Sequence, residues 1–254
     1  MTIPFLKRPA EIQPFPKTFS AGIRVDVHSH ILPGLDDGSD SMQCSIQLAK
    51  ELVKAGFSKV IATPHVMKGY YDNSVEKVFG MKTMLEKELI LQKIPLKIEA
   101  AAEYYVNPEL LELVQQKQPL LTIGAPGQRP FLLLETERSQ EPDELMALVE
   151  ALNRRSITPV LAHPEKYNYL QNSFERAIEL FRAGLLFQLN WDSLHAQSNL
   201  VTRQLAERLI EYRMVSFLGT NLHRVSELSL LREAAREPYF LLLTESGLLN
   251  NTLR

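Results

Sequence analysis

The sequence predicts an α/β protein built as a parallel, closed or nearly closed (β/α) barrel. Short β-branched runs alternate with helix-period stretches, each with its own start signal, and repeated units of that kind imply a parallel sheet with helices outside. Seven or so strands within 254 residues suit a TIM-like barrel of seven or eight units. No G-x-G-x-x-G or Walker-type loop follows any strand, which removes the usual sign of an open doubly wound sheet.

Pro4, Pro9, Pro14 and Pro16 break any regular element over residues 1–22, so this stretch reads as a proline-rich arm ahead of one domain spanning 23–254. The first strand runs from Ile23 to His28. Ser39, Asp40 or Ser41 caps a helix ending near Ala55, with Gly56 just past its end. Lys59 to Thr63 is the second strand, Ser74 to Gln92 a helix, and Leu96 to Glu103 the third strand. Pro108 opens a helix as a first-turn proline can. Leu120 to Ile123 and Phe131 to Glu135 flank a Gly- and Pro-rich turn and read as a hairpin. A helix from Pro142 to Arg154 precedes the strand Pro159 to Ala162. A second helix, Ser173 to Ala183, ends at Gly184 and feeds Leu185 to Asn190. The helix Leu200 to Tyr212 leads to Val215 to Gly219, and two helical stretches separated by Pro238 close the chain.

Composition narrows the function classes. The net charge of −2 gives no electrostatic case for nucleic acid. No apolar run reaches the roughly 20 residues of a membrane span, and none follows Lys7 and Arg8 as a signal peptide would require. The single cysteine, Cys44, rules out an intrachain disulfide and points to a reducing, cytoplasmic setting. It lies in the first predicted helix without a phosphate loop, which argues against a thiol nucleophile.

Five of the six histidines follow predicted strands: His28 and His30, His65, His163 and His223. Parallel barrels gather those strand ends on one face, where active sites are built. Asp26, His28 and His30 are spaced by two, so in an extended chain all three turn to one side. Asp36 and Asp37 form a polar turn over the same mouth, and Glu103 and Glu135 end apolar runs. Nitrogen and carboxylate donors without thiolates suit Mn, Fe or Zn rather than an iron–sulfur cluster. A lone strand-end histidine would be an ordinary hydrogen-bonding residue; the convergence of five points to metal. His195 lacks such support and reads as a loop residue.

Asp26-Val27-His28-Ser29-His30 followed by Leu32-Pro33-Gly34-Leu35-Asp36-Asp37-Gly38 resembles the opening of the polymerase-and-histidinol-phosphatase (PHP) superfamily. It resembles more closely the capsule-associated bacterial protein-tyrosine phosphatases within it. Ala62-Thr63-Pro64-His65, Ala100-Ala101-Ala102-Glu103-Tyr104-Tyr105, Leu161-Ala162-His163-Pro164-Glu165 and Gly219-Thr220-Asn221-Leu222-His223 resemble further motifs of that family, in order, from about Arg24 to the helix after His223.

The resemblance implies a distorted PHP-type barrel holding two or three divalent ions, with manganese the first expectation and iron or zinc the alternatives. His28, His30 and Glu103 would hold one ion, with Asn221 where the family has aspartate. Glu103 would bridge to a second held by His163. His65, His223 and either Asp36 or Asp37, the latter slightly favoured, would hold a third. Glu135 would be a ligand or would orient a histidine. Lys166, where several relatives carry arginine, Arg224 and, third, Arg232 would surround the phosphate.

The activity implied is hydrolysis of phosphotyrosine, by water the metals activate, on a polysaccharide-synthesis kinase. Two alternatives stand beside it: a histidinol-phosphate type of small phosphomonoesterase, and a metal-poor binding module, favoured by the neutral Asn221. Metal content separates the last from the others. Tyr70, Tyr71 and Tyr104 sit just beyond the motifs and line either an aryl slot or the packed rim, and Trp191 reads as rim or core.

Overall fold

The computed structural model describes residues 22–124 and 127–254. Apart from Gly22, the expected arm over 1–22 lies outside the described residues. The chain begins with β1 (Val25–Ser29), α1 (Met42–Ala55), β2 (Lys59–Ala62), β3 (His65–Val66) and α2 (Val75–Leu91). It continues through β4 (Lys97–Ala100), β5 (Glu103–Tyr105), α3 (Pro108–Gln115), β6 (Phe131–Glu135), α4 (Leu145–Arg154) and β7 (Thr158–Ala162). The last third holds α5 (Asn168–Asn172), α6 (Phe174–Arg182), β8 (Leu186–Asn190), α7 (Leu200–Glu211), β9 (Val215–Gly219), α8 (Leu228–Ala234) and α9 (Pro238–Thr244).

Helix starts follow the side-chain chemistry. Ser41, Ser74 and Asn107 cap α1, α2 and α3 by accepting the amides of Cys44, Lys77 and Leu110. Gly56 ends α1 at φ +109°, a conformation that suits a residue without Cβ.

All strand pairings are parallel, in a three-stranded sheet β1-β2-β4 and a six-stranded sheet β3-β5-β6-β7-β8-β9. Two expected strands are interrupted. Lys59 to Thr63 stops at Ala62 and resumes at His65, across Pro64, which has no amide to donate. Leu96 to Glu103 divides into β4 and β5 around Ala101 and Ala102. The amides of Ala101 and Glu103 still bond to the carbonyls of Ala62 (2.8 Å) and Pro64 (3.1 Å), so the two sheets share two broken staves. The other edges meet where Ser29 bridges Leu222: Asn221 N donates to His28 O (2.8 Å) and His30 N to Leu222 O (3.1 Å). The result is a seven-staved barrel. The expected hairpin reduces to one antiparallel bridge, Ile123 with Phe131, because β6 is held between β5 and β7 as a stave and offers no second free edge.

Helices pack on the strands through a continuous apolar layer that includes Leu48, Leu52, Leu148, Leu152, Leu209 and Phe240. Ile61, Leu133, Val160 and Phe217 form a second cluster with Leu253 from the chain end. There Asn250 donates to the carbonyls of Val25 and Leu218 and accepts from Leu218 N, tying β1 to β9 at the end of the barrel away from the histidines. Tyr104 and Trp191 belong to the core: Tyr104 accepts from Leu121 N, and Trp191 donates to Leu231 O. No helix among the described residues is long and apolar enough to cross a membrane.

Candidate metal centre

The strand ends bring all five predicted histidines together, four of them around one carboxylate. Glu103, fully buried at the start of β5, has Oε2 3.0 Å from His28 Nε2, 3.5 Å from His30 Nε2 and 3.3 Å from His65 Nδ1. Its Oε1 lies 2.9 Å from His163 Nε2. His223 stacks on His30 with ring centroids 4.0 Å apart. Glu135, at the end of β6, reaches His65 Nδ1 at 2.7 Å.

The two aspartates of the polar turn separate in role. Asp37 Oδ1 lies 3.6 Å from His65 Nε2 and 3.5 Å from His223 Nε2, which leaves it facing the centre. Asp36 turns the other way, with Oδ2 2.6 Å from His30 Nδ1 and also accepting from His65 N, while Oδ1 accepts from Gly38 N. Asp26 faces the same side of β1 one layer below, where it accepts from the amide and hydroxyl of Thr220 and ties β1 to β9. Burial pushes its carboxyl up to about 6 despite those bonds.

The hydrogen bonds fix the histidine tautomers. His28 Nδ1 lies 2.6 Å from the side-chain oxygen Oε1 of Gln188, whose Nε2 donates to Leu189 O and Asn190 Oδ1. His28 therefore carries its proton on Nδ1, as His30 does toward Asp36. Their Nε2 lone pairs then face each other at 3.2 Å, beside Glu103 Oε2. Three electron-rich atoms so placed require positive charge between them, either an added proton or a metal ion. Burial would push His30 down, yet its bonds to Asp36 and Glu103 raise it to about 10. Burial also opposes ionisation of Glu103, but His28, His163 and His30 outweigh it and hold the carboxyl well below the usual range. His163 and His223 are pushed down to about 4, chiefly by burial. Asn221 Oδ1 and His163 Nδ1 are buried without a hydrogen-bond partner. The donor set fits divalent ions: His28, His30 and Glu103 lie within ligand range of one another, as do His65, Glu103 and Glu135, and His30, Asp37, His65 and His223.

Two close approaches hold this arrangement. A Cβ on Gly38 would sit 2.3 Å from His30 Cβ, and one on Gly219 would sit 2.6 Å from His28 Cβ, so both positions need glycine. His163 and Asn221 take left-handed backbone conformations, at φ +37° and +49°, which lift both residues out of their strands at the mouth.

A cleft of about 490 Å³ opens over the centre, lined by Asp37, Glu103, His163, Lys166, Asn221 and Arg224 among others. Lys166 Nζ lies 3.5 Å from Asp192 Oδ2. Arg232 does not reach the cleft: its guanidinium lies 3.2 Å from Glu51 on α1. Arg138, which has no sequence signal of its own, lines the cleft instead. Tyr71 stacks on His65 at the rim, while Tyr70 is exposed. His195 stands apart, paired with Glu233.

Gln188 is the other residue the sequence did not single out; a glutamine inside an apolar strand carries no motif. Gln188→Leu is expected to weaken metal binding by about 10–100-fold, as loss of a histidine-orienting partner does, without changing the metal-free melting temperature by more than a few degrees. Calorimetric metal titration of both forms checks it, and unchanged affinity would remove Gln188 from the centre.

A seven-staved parallel barrel with histidine and carboxylate donors gathered at the strand C-termini defines the class: a β/α barrel equipped for divalent metals. Within that class, the chain belongs to the CpsB/CapC family of capsular polysaccharide synthesis, whose model matches residues 24–236. It is 28% identical over 201 residues to the tyrosine-protein phosphatase YwqE of Bacillus subtilis, covering 79% of this chain and 78% of that one. It is 26% identical over 206 residues to the tyrosine-protein phosphatase CpsB of Streptococcus agalactiae, covering 79% and 83%. A crystal structure from work on YwqE and on CpsB of Streptococcus pneumoniae, described as metal-dependent tyrosine phosphatases, superposes with a TM-score of 0.76 at 26% identity, covering 90% of both chains.

Proposed function

We propose that this protein is a metal-dependent tyrosine-protein phosphatase acting on a phosphotyrosine-bearing protein, with a bacterial polysaccharide-synthesis kinase as the expected substrate, in the cytoplasm. The observation that carries the reading is the buried Glu103 carboxylate ringed by imidazoles, in a chain of this family. His28, His30, Glu103 and Asn221 are assigned to one ion, and Glu103 and His163 to a second. Asp37, His65 and His223 are assigned to a third, with Glu135 beside His65. Asp36 is assigned to hold His30 rather than to bind metal. Manganese is the ion of choice, with iron or zinc compatible with the same donors. The barrel over 23–254 is taken as one domain carrying the whole site.

Ions held there would supply a water acidic enough to attack near neutral pH and positive charge for the phosphoryl oxygens. The protein's own part is placement. Lys166, Arg224 and Arg138 line the cleft and are assigned to the non-bridging oxygens. A phenolate leaves with a pKa of about 10, so the site needs no strong general acid.

The test is hydrolysis of a phosphotyrosine peptide with added manganese, alongside His28→Ala. Turnover in the parent that falls by at least about 100-fold in His28→Ala supports the assignment. Turnover confined to small phosphomonoesters, or none in either form, would overturn the protein-phosphatase reading.

A further inference from the structure

A second cleft, of about 500 Å³, adjoins the metal cleft. Arg138, Lys166 and Asp192 line both, so the two form one continuous surface. Beyond those three residues its lining is neutral and hydrogen-bonding, including Asn168, Gln171, Ser198, Asn199 and Thr202. A smaller, more apolar cleft of about 290 Å³ beside Tyr71 and Leu113 shares no lining residue with the metal cleft.

On the phosphatase reading above, we propose that this polar cleft is a subsite for the polypeptide flanking the phosphotyrosine, gripping its main-chain amides and carbonyls. The chemistry is that of a backbone binder: amide and hydroxyl side chains can meet alternating N–H and C=O groups whatever the substrate side chains are.

Part of the wall is held in place before any ligand arrives, which lowers the entropy cost of binding. Gln171 Nε2 donates to Glu165 O (2.8 Å) and Thr202 Oγ1 (3.3 Å), and Ser198 Oγ donates to Asp192 O (2.5 Å). Asn199 Oδ1 caps α7 by accepting from Val201 N and Thr202 N. Asn168 N donates to Arg138 O, which ties this wall to the arginine between the clefts. The Asn168 and Asn199 side chains are exposed at this cleft, where a ligand can reach them.

The experiment compares kcat/KM for a phosphotyrosine peptide with that for free phosphotyrosine, in the parent, Asn168→Trp, which fills the cleft, and Asn168→Ala. The parent is expected to favour the peptide. In Asn168→Trp the peptide-to-phosphotyrosine ratio is expected to fall about tenfold, through KM, the equivalent of one or two hydrogen bonds. If Asn168→Trp does not fold, as judged by melting, Asn168→Ala and Thr202→Val carry the test with a smaller drop in the same ratio. A ratio within twofold of the parent in folded variants would overturn the subsite while leaving the phosphatase reading intact. Absence of turnover on both substrates in the parent would overturn both.

Discussion

Glu103→Gln is expected to reduce phosphotyrosine turnover roughly 1,000-fold, the product of two ion affinities each weakened by about 10–100-fold. The substitution keeps the size of the side chain and removes its charge. At present one oxygen lies 3.0 Å from His28 Nε2 and the other 2.9 Å from His163 Nε2, and the residue is fully buried at the floor of the cleft. An amide would offer one neutral oxygen and, on the other side, an N–H₂ group pointing at a nitrogen lone pair. Burial makes that loss large, because the negative charge acts in a poorly screened environment. Metal content after purification should fall with activity, so elemental analysis and kinetics on the same sample check the claim. Full metal content with lost turnover would move Glu103 from ion binding to the chemical step. Full turnover would remove it from the site.

Asn221→Asp is expected to act in the opposite direction, tightening one ion by about 10–100-fold. Asn221 Oδ1 is buried without a partner in the cleft over the centre, so a charged oxygen can replace it without breaking a hydrogen bond. Both asparagine and aspartate tolerate the left-handed conformation found here, at φ +49°. The backbone bond from Asn221 N to His28 O is untouched. Metal titration of parent and variant reads the effect directly, and restored or faster turnover should accompany it at low manganese. Equal affinities would show that the side chain at 221 is not a ligand. If the parent retains no metal and binds none, the binding-module alternative gains the ground.

The strand-end histidines were legible because two local rules suffice. Period-two spacing turns His28 and His30 to one side at the end of β1, and a parallel barrel collects every strand's C-terminal end on one face. The alternation of strands and helices, the cap at Ser41, the first-turn Pro108 of α3 and the glycine after α1 follow from equally local chemistry.

Local rules misjudged the segments where a neighbour decides. Phe131–Glu135 has a good hairpin turn ahead of it, yet two parallel partners outcompete Leu120 to Ile123 for its edges. Arg232 lies close to the motif at His223, but Glu51 on α1, distant in sequence, takes its guanidinium.

By itself, then, the sequence determined the barrel class, the histidines and carboxylates that gather at the strand ends and the family resemblance, since each is encoded in short spacings and strand-end positions. Tertiary structure alone decided that Asp37 faces the centre while Asp36 orients His30, that Gln188 fixes the tautomer of His28 from a strand 160 positions away, and that Arg138 enters the cleft. Those roles depend on which atom of one stave meets which atom of another, and that is set by barrel closure and register, quantities no local window of residues contains.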